Sequence, residues 1–241
     1  MKNQLKKINF NHSFIFFLFC NIFPLTILKF ENLIFSPLFC LLLILSIGVS
    51  HGSLDHIKGK KLLKIFEIKN MYIFYLLYIF IASTIIVLWT IMPSISLTIF
   101  LIVASFHFGK EDTQFLIVEN SYYNQLLFFL KGLLVILAPM FFHFEETISI
   151  FKLLLIDNES FYRTLDFIEM NKLILFGIIL STLSSILLFT KEFELKKFTI
   201  FLDYFSILII NYYFSPLMAF TIYFCFLHST RHGITLMHDL D

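Results

Sequence analysis

Long apolar runs alternate with short polar segments along the whole chain. A helix needs about 20 mostly apolar residues to cross the hydrocarbon core of a bilayer. Eight runs approach that length, at residues 13–30, 35–50, 71–91, 94–109, 123–142, 172–190, 198–213 and 216–232. Tight turns are expected at Pro93 and Ser215–Pro216, and residues 145–170 form a long polar connection. We predict an all-α polytopic transmembrane helical bundle of about eight spans, forming a single integral-membrane domain over residues 1–241.

Lysines are concentrated in alternate connections between these spans. The basic segments contain Lys2, Lys6 and Lys7; Lys58, Lys60, Lys61, Lys64 and Lys69; and Lys191, Lys196 and Lys197. With eight alternating spans, all three segments lie on one side, which the preference of cytoplasmic loops for Lys and Arg makes the cytoplasm. We therefore expect a multi-pass protein of the inner (plasma) membrane with a cytoplasmic N-terminus.

The composition supports this class and excludes others. Hydrophobic residues make up 59% of the chain, charged residues 15%, and the mean hydropathy is +0.86. A soluble globule could not bury that much apolar surface, so a lipid bilayer is the expected environment. The net charge of +1 gives no basic tract that would suggest nucleic-acid binding.

Three of the predicted spans end with histidine at the cytoplasmic side. The second ends GVSHGSLDH (48–56), the fourth ends SFHFGKED (105–112), and the eighth ends FTIYFCFLHSTRH (220–232). Ionisable residues at membrane depth are costly enough to count as functional candidates. Because His228 and His232 are four residues apart, they share one helix face. We predict that His51, His107, His228 and His232 form a metal site.

The residue types around these histidines refine the prediction. An all-nitrogen ligand set with open positions suits ferrous iron that must also bind oxygen. Asp55 and Asp112 are expected to accept the ring N–H that a ligating imidazole leaves unused. His56 is a candidate for such an outer role or for an alternative ligand. Arg231 could pair with Asp55, with Asp112 or with lipid phosphate, and we expect it to anchor the protein at the membrane surface.

His12 and His143 stand apart from the histidine motifs, and both are expected at the membrane interface.

Three other function classes remain open on the residues alone. A membrane desaturase or hydroxylase also carries histidines at helix ends, but its two irons need more clustered ligands than this chain offers. A bis-histidine haem electron carrier could use His51 or His107 with His228. A proton-coupled transporter would need buried acids, and Asp203 is the clear mid-span acid here.

The three histidine motifs together resemble those of the Brp/Blh family, the membrane β-carotene 15,15′-dioxygenases associated with bacteriorhodopsin and proteorhodopsin systems. The likeness covers roughly residues 35–233 and includes the segment from Gly132 to Pro139. Ser50, Ser53 and Leu227 depart from the family pattern, but the histidines are retained. The resemblance implies Fe(2+) held by His51, His107, His228 and His232, and cleavage of the central double bond of β-carotene with O2 to give two molecules of retinal. It also implies a functional link to a retinal-binding rhodopsin.

Aromatic residues beside the histidines suit such a substrate. A carotene dissolves in lipid, so its binding pocket should open sideways among the helices. Residues that could line a flat tunnel for a polyene are Phe106, Phe108, Phe220, Tyr223, Phe224 and Phe226. With 34 phenylalanines in the chain, most aromatic side chains simply face lipid.

Overall fold

The computed structural model describes residues 2–27, 37–48, 55–117, 119, 121–154, 156–191 and 194–240. Every regular element in these ranges is a helix. The prediction of an all-α fold is therefore confirmed for the described residues.

The helices follow one another with short connections. In chain order they are α1 (Lys2–Ile27), α2 (Pro37–Leu43), α3 (Asp55–Ile65), α4 (Met71–Ile91), α5 (Pro93–Glu111), α6 (Tyr122–Phe142), α7 (Phe144–Leu153), α8 (Glu159–Met170), α9 (Leu173–Thr190), α10 (Thr199–Tyr213), α11 (Pro216–Ile222) and α12 (Thr230–Leu240). A π-helix, Ile44–Gly48, continues α2, and a second one, Tyr223–Ser229, joins α11 to α12. A 3₁₀ turn, Leu195–Phe198, precedes α10.

Within the described ranges, five helices are long and apolar enough to cross a membrane, namely α1, α4, α5, α6 and α9. The predicted count of eight spans is not confirmed. The second predicted span is described over 37–48 only, the seventh is a helix of 15 residues, and the eighth is interrupted by the second π-helix. These three segments are apolar, but over the residues that the structure describes none of them contains a single α-helix of the length that a bilayer requires.

Proline and polar caps set the helix boundaries as the sequence indicates. Pro93 and Pro216 each occupy the first turn of a helix, where the missing N–H costs nothing. The side chains of Asn70 and Ser121 accept hydrogen bonds from the first turns of α4 and α6.

The polar connection at 145–170 is not an open loop. It contains the two short helices α7 and α8, and Asn158 caps the second of them. Phe151 and Leu165 from these helices are buried in the main core, which explains why the segment folds against the bundle.

Helix α6 lies at the centre of the bundle and packs against α5, α9 and α10. It crosses α5 with Gly109 against Gly132, and a methyl group on either glycine would overlap a backbone carbonyl of the other helix, that of Phe128 or Ser105. Small residues allow such close helix contact. On the other side of α6, two α9 hydroxyls, those of Ser181 and Ser184, donate to α6 carbonyls at 3.1 Å.

Helix α1 packs along α10 and reaches the second π-helix and α12. The N-terminal end of α1 is held by ionic and polar contacts to the 3₁₀ turn and to the residue before it, Glu194. Lys6 lies 2.5 Å from Glu194, and Lys196 donates to Asn3 at 2.7 Å. Two of the basic segments predicted to share one side of the membrane are therefore adjacent in the fold.

Candidate metal centre and apolar cavity

His107 and His228 meet where α5 passes the second π-helix. Their Nε2 atoms lie 3.3 Å apart, and the two rings are nearly perpendicular, at 70°. Both side chains come from segments that the sequence predicts to end at the same depth. The structure therefore brings together one histidine from the fourth predicted span and one from the eighth.

Asp112 fixes the orientation of the His228 ring. The carboxylate accepts from His228 Nδ1 at 3.0 Å through one oxygen and from the Tyr223 hydroxyl at 2.7 Å through the other. Burial raises the pKa of Asp112, but the neighbouring His228 and Arg231 lower it by more, so its pKa lies well below the usual range. Because the ionised carboxylate can only accept, the proton of a neutral His228 is on Nδ1 and the lone pair is on Nε2.

The separation of the two Nε2 atoms fits a shared metal ion. Nitrogen ligands lie about 2.0–2.1 Å from zinc, so two ligands at roughly 90–110° to each other are about 2.8–3.4 Å apart. The observed 3.3 Å falls in that range. A carboxylate that accepts the second ring N–H is also the usual support of a ligating histidine.

The remaining predicted ligands are placed less completely. His232, one turn after His228, has Nδ1 at 3.4 Å from Glu111, so it also faces a carboxylate from the end of α5. His51 lies outside the described residues. Asp55 and His56 begin α3, but their side chains lie outside the described part as well. Among the side chains that are described, no group of three or more metal-binding residues is assembled.

Arg231 is buried beneath this centre, with only 1% of its surface exposed. It donates to both oxygens of Asp203, at 2.7 and 3.0 Å, and to the hydroxyl of Ser13 at 2.5 Å. It also donates to the backbone carbonyl of Asp112 at 3.2 Å. The expectation that Arg231 anchors the membrane surface is therefore wrong. Asp203 supplies the countercharge that makes the buried position possible.

A buried lysine adjoins the same network and was not predicted. Lys131 lies in the middle of α6 and is 7% exposed. It lines a cavity of about 10 Å³ together with Asp112, Tyr204 and Tyr223. Such a volume is close to that needed for one water molecule. The sequence feature that could have identified Lys131 is its position as a lone cation in the centre of an apolar span, where an ionisable residue is a candidate for a functional role.

A larger apolar cavity of about 240 Å³ lies between α5, α6, α7, α10 and α11. Neither histidine of the pair lines it, but the lining residues Phe108 and Tyr223 contact the His228 ring. Its lining includes Phe108, Phe220 and Tyr223 near the histidines and Leu97, Pro139, Ile150 and Phe151 further away. Of the four residues predicted most specifically for a substrate tunnel, Phe108 and Tyr223 line this cavity.

The other two predicted tunnel residues lie outside the cavity lining. The ring of Phe106 lies beneath the Lys110 ammonium at 5.5 Å. Phe224 stacks on Phe220 and on the His228 ring, with centroid distances of 5.4 and 5.9 Å. Phe224 therefore packs against one side chain that lines the cavity, Phe220, and against the imidazole of His228.

The two isolated histidines both contact backbone carbonyls. His12 of α1 lies 2.9 Å from the carbonyl of Phe226 through Nε2, and His143 lies 2.8 Å from the carbonyl of Asn211. His12 therefore contacts the π-helix that contains His228, a role that its position in the sequence did not indicate.

Comparison with known proteins identifies the family of this chain. The family model of beta-carotene 15,15'-dioxygenase matches residues 42–241. The chain belongs to this family. A curated relative, the beta-carotene 15,15'-dioxygenase of uncultured marine bacterium 66A03, is 27% identical over 194 residues. The alignment covers 80% of this chain and 66% of the relative, just under two thirds of its length. No solved structure matches the chain.

The beta-carotene 15,15'-dioxygenase family match contains the three histidine motifs, Asp112 and Arg231. Helix α1 lies before it. Ser13 and His12, which contact Arg231 and the second π-helix, therefore lie outside the matched region.

Proposed function

We propose that this protein cleaves the central double bond of β-carotene with O2 to give two molecules of all-trans-retinal. The observation that carries the proposal is the His107–His228 pair, which lies behind two aromatic side chains that line an apolar cavity, in a chain of the beta-carotene 15,15'-dioxygenase family. In this reaction one carbon–carbon double bond breaks and each half gains one oxygen atom, so one O2 supplies both aldehyde oxygens.

The cavity supports a hydrocarbon substrate. Its lining is dominated by aliphatic and aromatic side chains, with Thr147 and Asn211 as polar exceptions. Such a surface binds a polyene by contact and exclusion of water, because the substrate offers no group to hydrogen-bond. Phe108 and Tyr223 lie between the cavity and His228, with ring centroids 4.8 and 6.0 Å from the imidazole. A substrate in the cavity would therefore approach the histidine pair past these two aromatic side chains.

The proposed metal is a single Fe(2+) held by His51, His107, His228 and His232. Bound iron would supply the oxygen activation, whereas the protein supplies ligands, position and a dry site. Asp112 keeps the proton of His228 on Nδ1, so that Nε2 is available as a ligand. Glu111 is placed to do the same for His232. Tyr223 donates to the second oxygen of Asp112 and holds that carboxylate in place.

The proposed location is the inner (plasma) membrane, with the N-terminus in the cytoplasm. A carotene partitions into the bilayer, and the membrane-length helices α1, α4, α5, α6 and α9 would place the cavity within it. The proposed partners are thus β-carotene, O2 and lipid, and the retinal formed would serve a retinal-binding rhodopsin.

Expression in cells that accumulate β-carotene tests the reaction. Loss of colour with formation of retinal is the expected result, and products of unequal length would contradict central cleavage. Purified protein should contain about one iron per chain. Two irons would favour a desaturase or hydroxylase, and a haem absorption band would favour an electron carrier.

Replacing His51, His107, His228 or His232 by Ala should remove most iron and nearly all retinal formation. His56→Ala should reduce iron affinity by roughly the 10–100-fold that outer partners contribute. An iron-free His56→Ala protein beside an iron-replete His51→Ala protein would reverse the assignment of that pair.

A further inference from the structure

The segment that contains His228 is a π-helix, and two of its carbonyls accept hydrogen bonds from side chains. In a π-helix the N–H groups bond five residues back rather than four, so the geometry departs from that of the flanking α-helices. Tyr223–Ser229 adopts this form between α11 and α12. The Thr230 hydroxyl donates to the carbonyl of Cys225 at 3.1 Å. The next carbonyl, that of Phe226, receives its side-chain hydrogen bond from His12 at 2.9 Å.

The direction of the His12 hydrogen bond is fixed by its acceptor. A carbonyl oxygen can only accept, so His12 Nε2 carries the proton and donates it. His12 Nδ1 is buried and has no hydrogen-bond partner within the described residues. The ring therefore makes one directed contact, and that contact is to the backbone two residues before His228.

Helix α1 holds this segment at a second point. Ser13, the residue after His12, accepts a hydrogen bond from Arg231, which also donates to the Asp112 carbonyl. Contacts from α1 thus lie on both sides of His228 along the chain, at Phe226 and at Arg231.

We propose that His12 is a positioning residue of the metal centre. Its hydrogen bond to Phe226 stabilises the π-helix and so directs the imidazole of His228 toward His107. Helix α1 lies before the matched family region, which begins at residue 42. The metal-binding part of this inference rests on the proposed function, whereas the part that concerns the π-helix does not.

The experiment compares three variants of the full chain in detergent. His12→Ala removes the donor, and His12→Gln restores an N–H at nearly the same reach. His143→Ala is the matched control, because it removes a histidine bond of 2.8 Å to the carbonyl of Asn211, outside the π-helix. Hydrogen exchange of residues 223–229 and Fe(2+) affinity are measured for each variant, together with the melting temperature.

We expect His12→Ala to exchange faster over 223–229 and to bind Fe(2+) about 10-fold or more weakly, the scale of outer-partner losses. His12→Gln should recover most of both quantities, and His143→Ala should match the unchanged protein in both. Unchanged exchange and affinity in His12→Ala would overturn the inference. The inference would also be overturned if His12→Gln and His12→Ala showed the same faster exchange, the same loss of Fe(2+) affinity and the same lowered melting temperature. If the unchanged protein binds no iron, the proposed function fails, and the exchange of residues 223–229 still decides the role of His12.

Discussion

The guanidinium of Arg231 donates to both carboxylate oxygens of Asp203, at 2.7 and 3.0 Å, with both side chains almost completely buried. Two charges of opposite sign thus lie together inside an apolar bundle, and each makes the burial of the other possible. The pair joins α10 to α12, and through the Asp112 carbonyl it also reaches the end of α5.

Breaking this pair should destabilise the fold strongly. Arg231→Met should lower the free energy of unfolding by about 3–5 kcal/mol, because Asp203 would remain as an uncompensated buried charge. The double variant Arg231→Met/Asp203→Leu should recover much of that loss. Unfolding in detergent measures both, and a double variant no more stable than the single one would contradict the pairing.

An exposed ion pair provides the matched comparison. Arg163 and Glu159 lie 2.6 Å apart, with 74% and 80% of their side chains exposed. Arg163→Ala should change the free energy of unfolding by about 1 kcal/mol or less, because water screens this pair.

Asp112→Asn should weaken metal binding without removing any ligand. The neutral amide would be a weaker acceptor for His228 Nδ1, so iron affinity should fall by about 10–100-fold. Tyr223→Phe keeps the ring and removes only the hydrogen bond to Asp112, and its effect should be smaller. Iron titration of the two purified variants gives the comparison, and an equal or larger effect of Tyr223→Phe would contradict this order.

Gly109→Ala should prevent the close crossing of α5 and α6. The added methyl group would overlap the carbonyl of Phe128, so the two helices must separate and His107 would shift away from His228. Gly233→Ala is the control, because a methyl group there meets nothing within 4 Å. Thermal unfolding should show a large loss for the first variant and little change for the second. Similar melting temperatures would mean that the crossing tolerates the methyl group.

Ala104→Phe should separate substrate binding from metal binding. Ala104 lines the apolar cavity, so a larger side chain there should reduce β-carotene cleavage while iron content stays unchanged. Ile99→Phe, on an exposed position of the same helix, is the control and should leave cleavage intact. Full activity of Ala104→Phe would indicate that the substrate binds elsewhere.

The lysine pattern makes a prediction about topology. Reporter fusions at Lys64 and at Asp157 should report opposite sides of the membrane, with Lys64 in the cytoplasm. If both fusions report the same side, the predicted topology is wrong, and the convergence of the histidine motifs no longer follows from it.

The sequence by itself determined the all-helical class and several helix ends, and it identified candidate residues for a site. Apolar runs bounded by Pro93, Ser121 and Pro216 specify helix ends, because caps and prolines act through the local backbone. Histidines at the ends of apolar runs identified the candidate residues without any contact being known, since an ionisable group at membrane depth is costly wherever it packs.

Tertiary structure decided which polar groups meet. The bond of His12 to Phe226 spans 214 residues along the chain, and Arg231 reaches Ser13 across 218. Neither has a local signature in sequence, because an interfacial histidine and a buried one have the same neighbours in the chain. In the sequence, Lys131 is an isolated charge within an apolar run. In the structure, the crossing of α5 and α6 at Gly109 and Gly132 places it in the same small cavity as Asp112. Such partners depend on how helices pack, and packing is set by the shape of whole helix surfaces rather than by the order of residues within one segment.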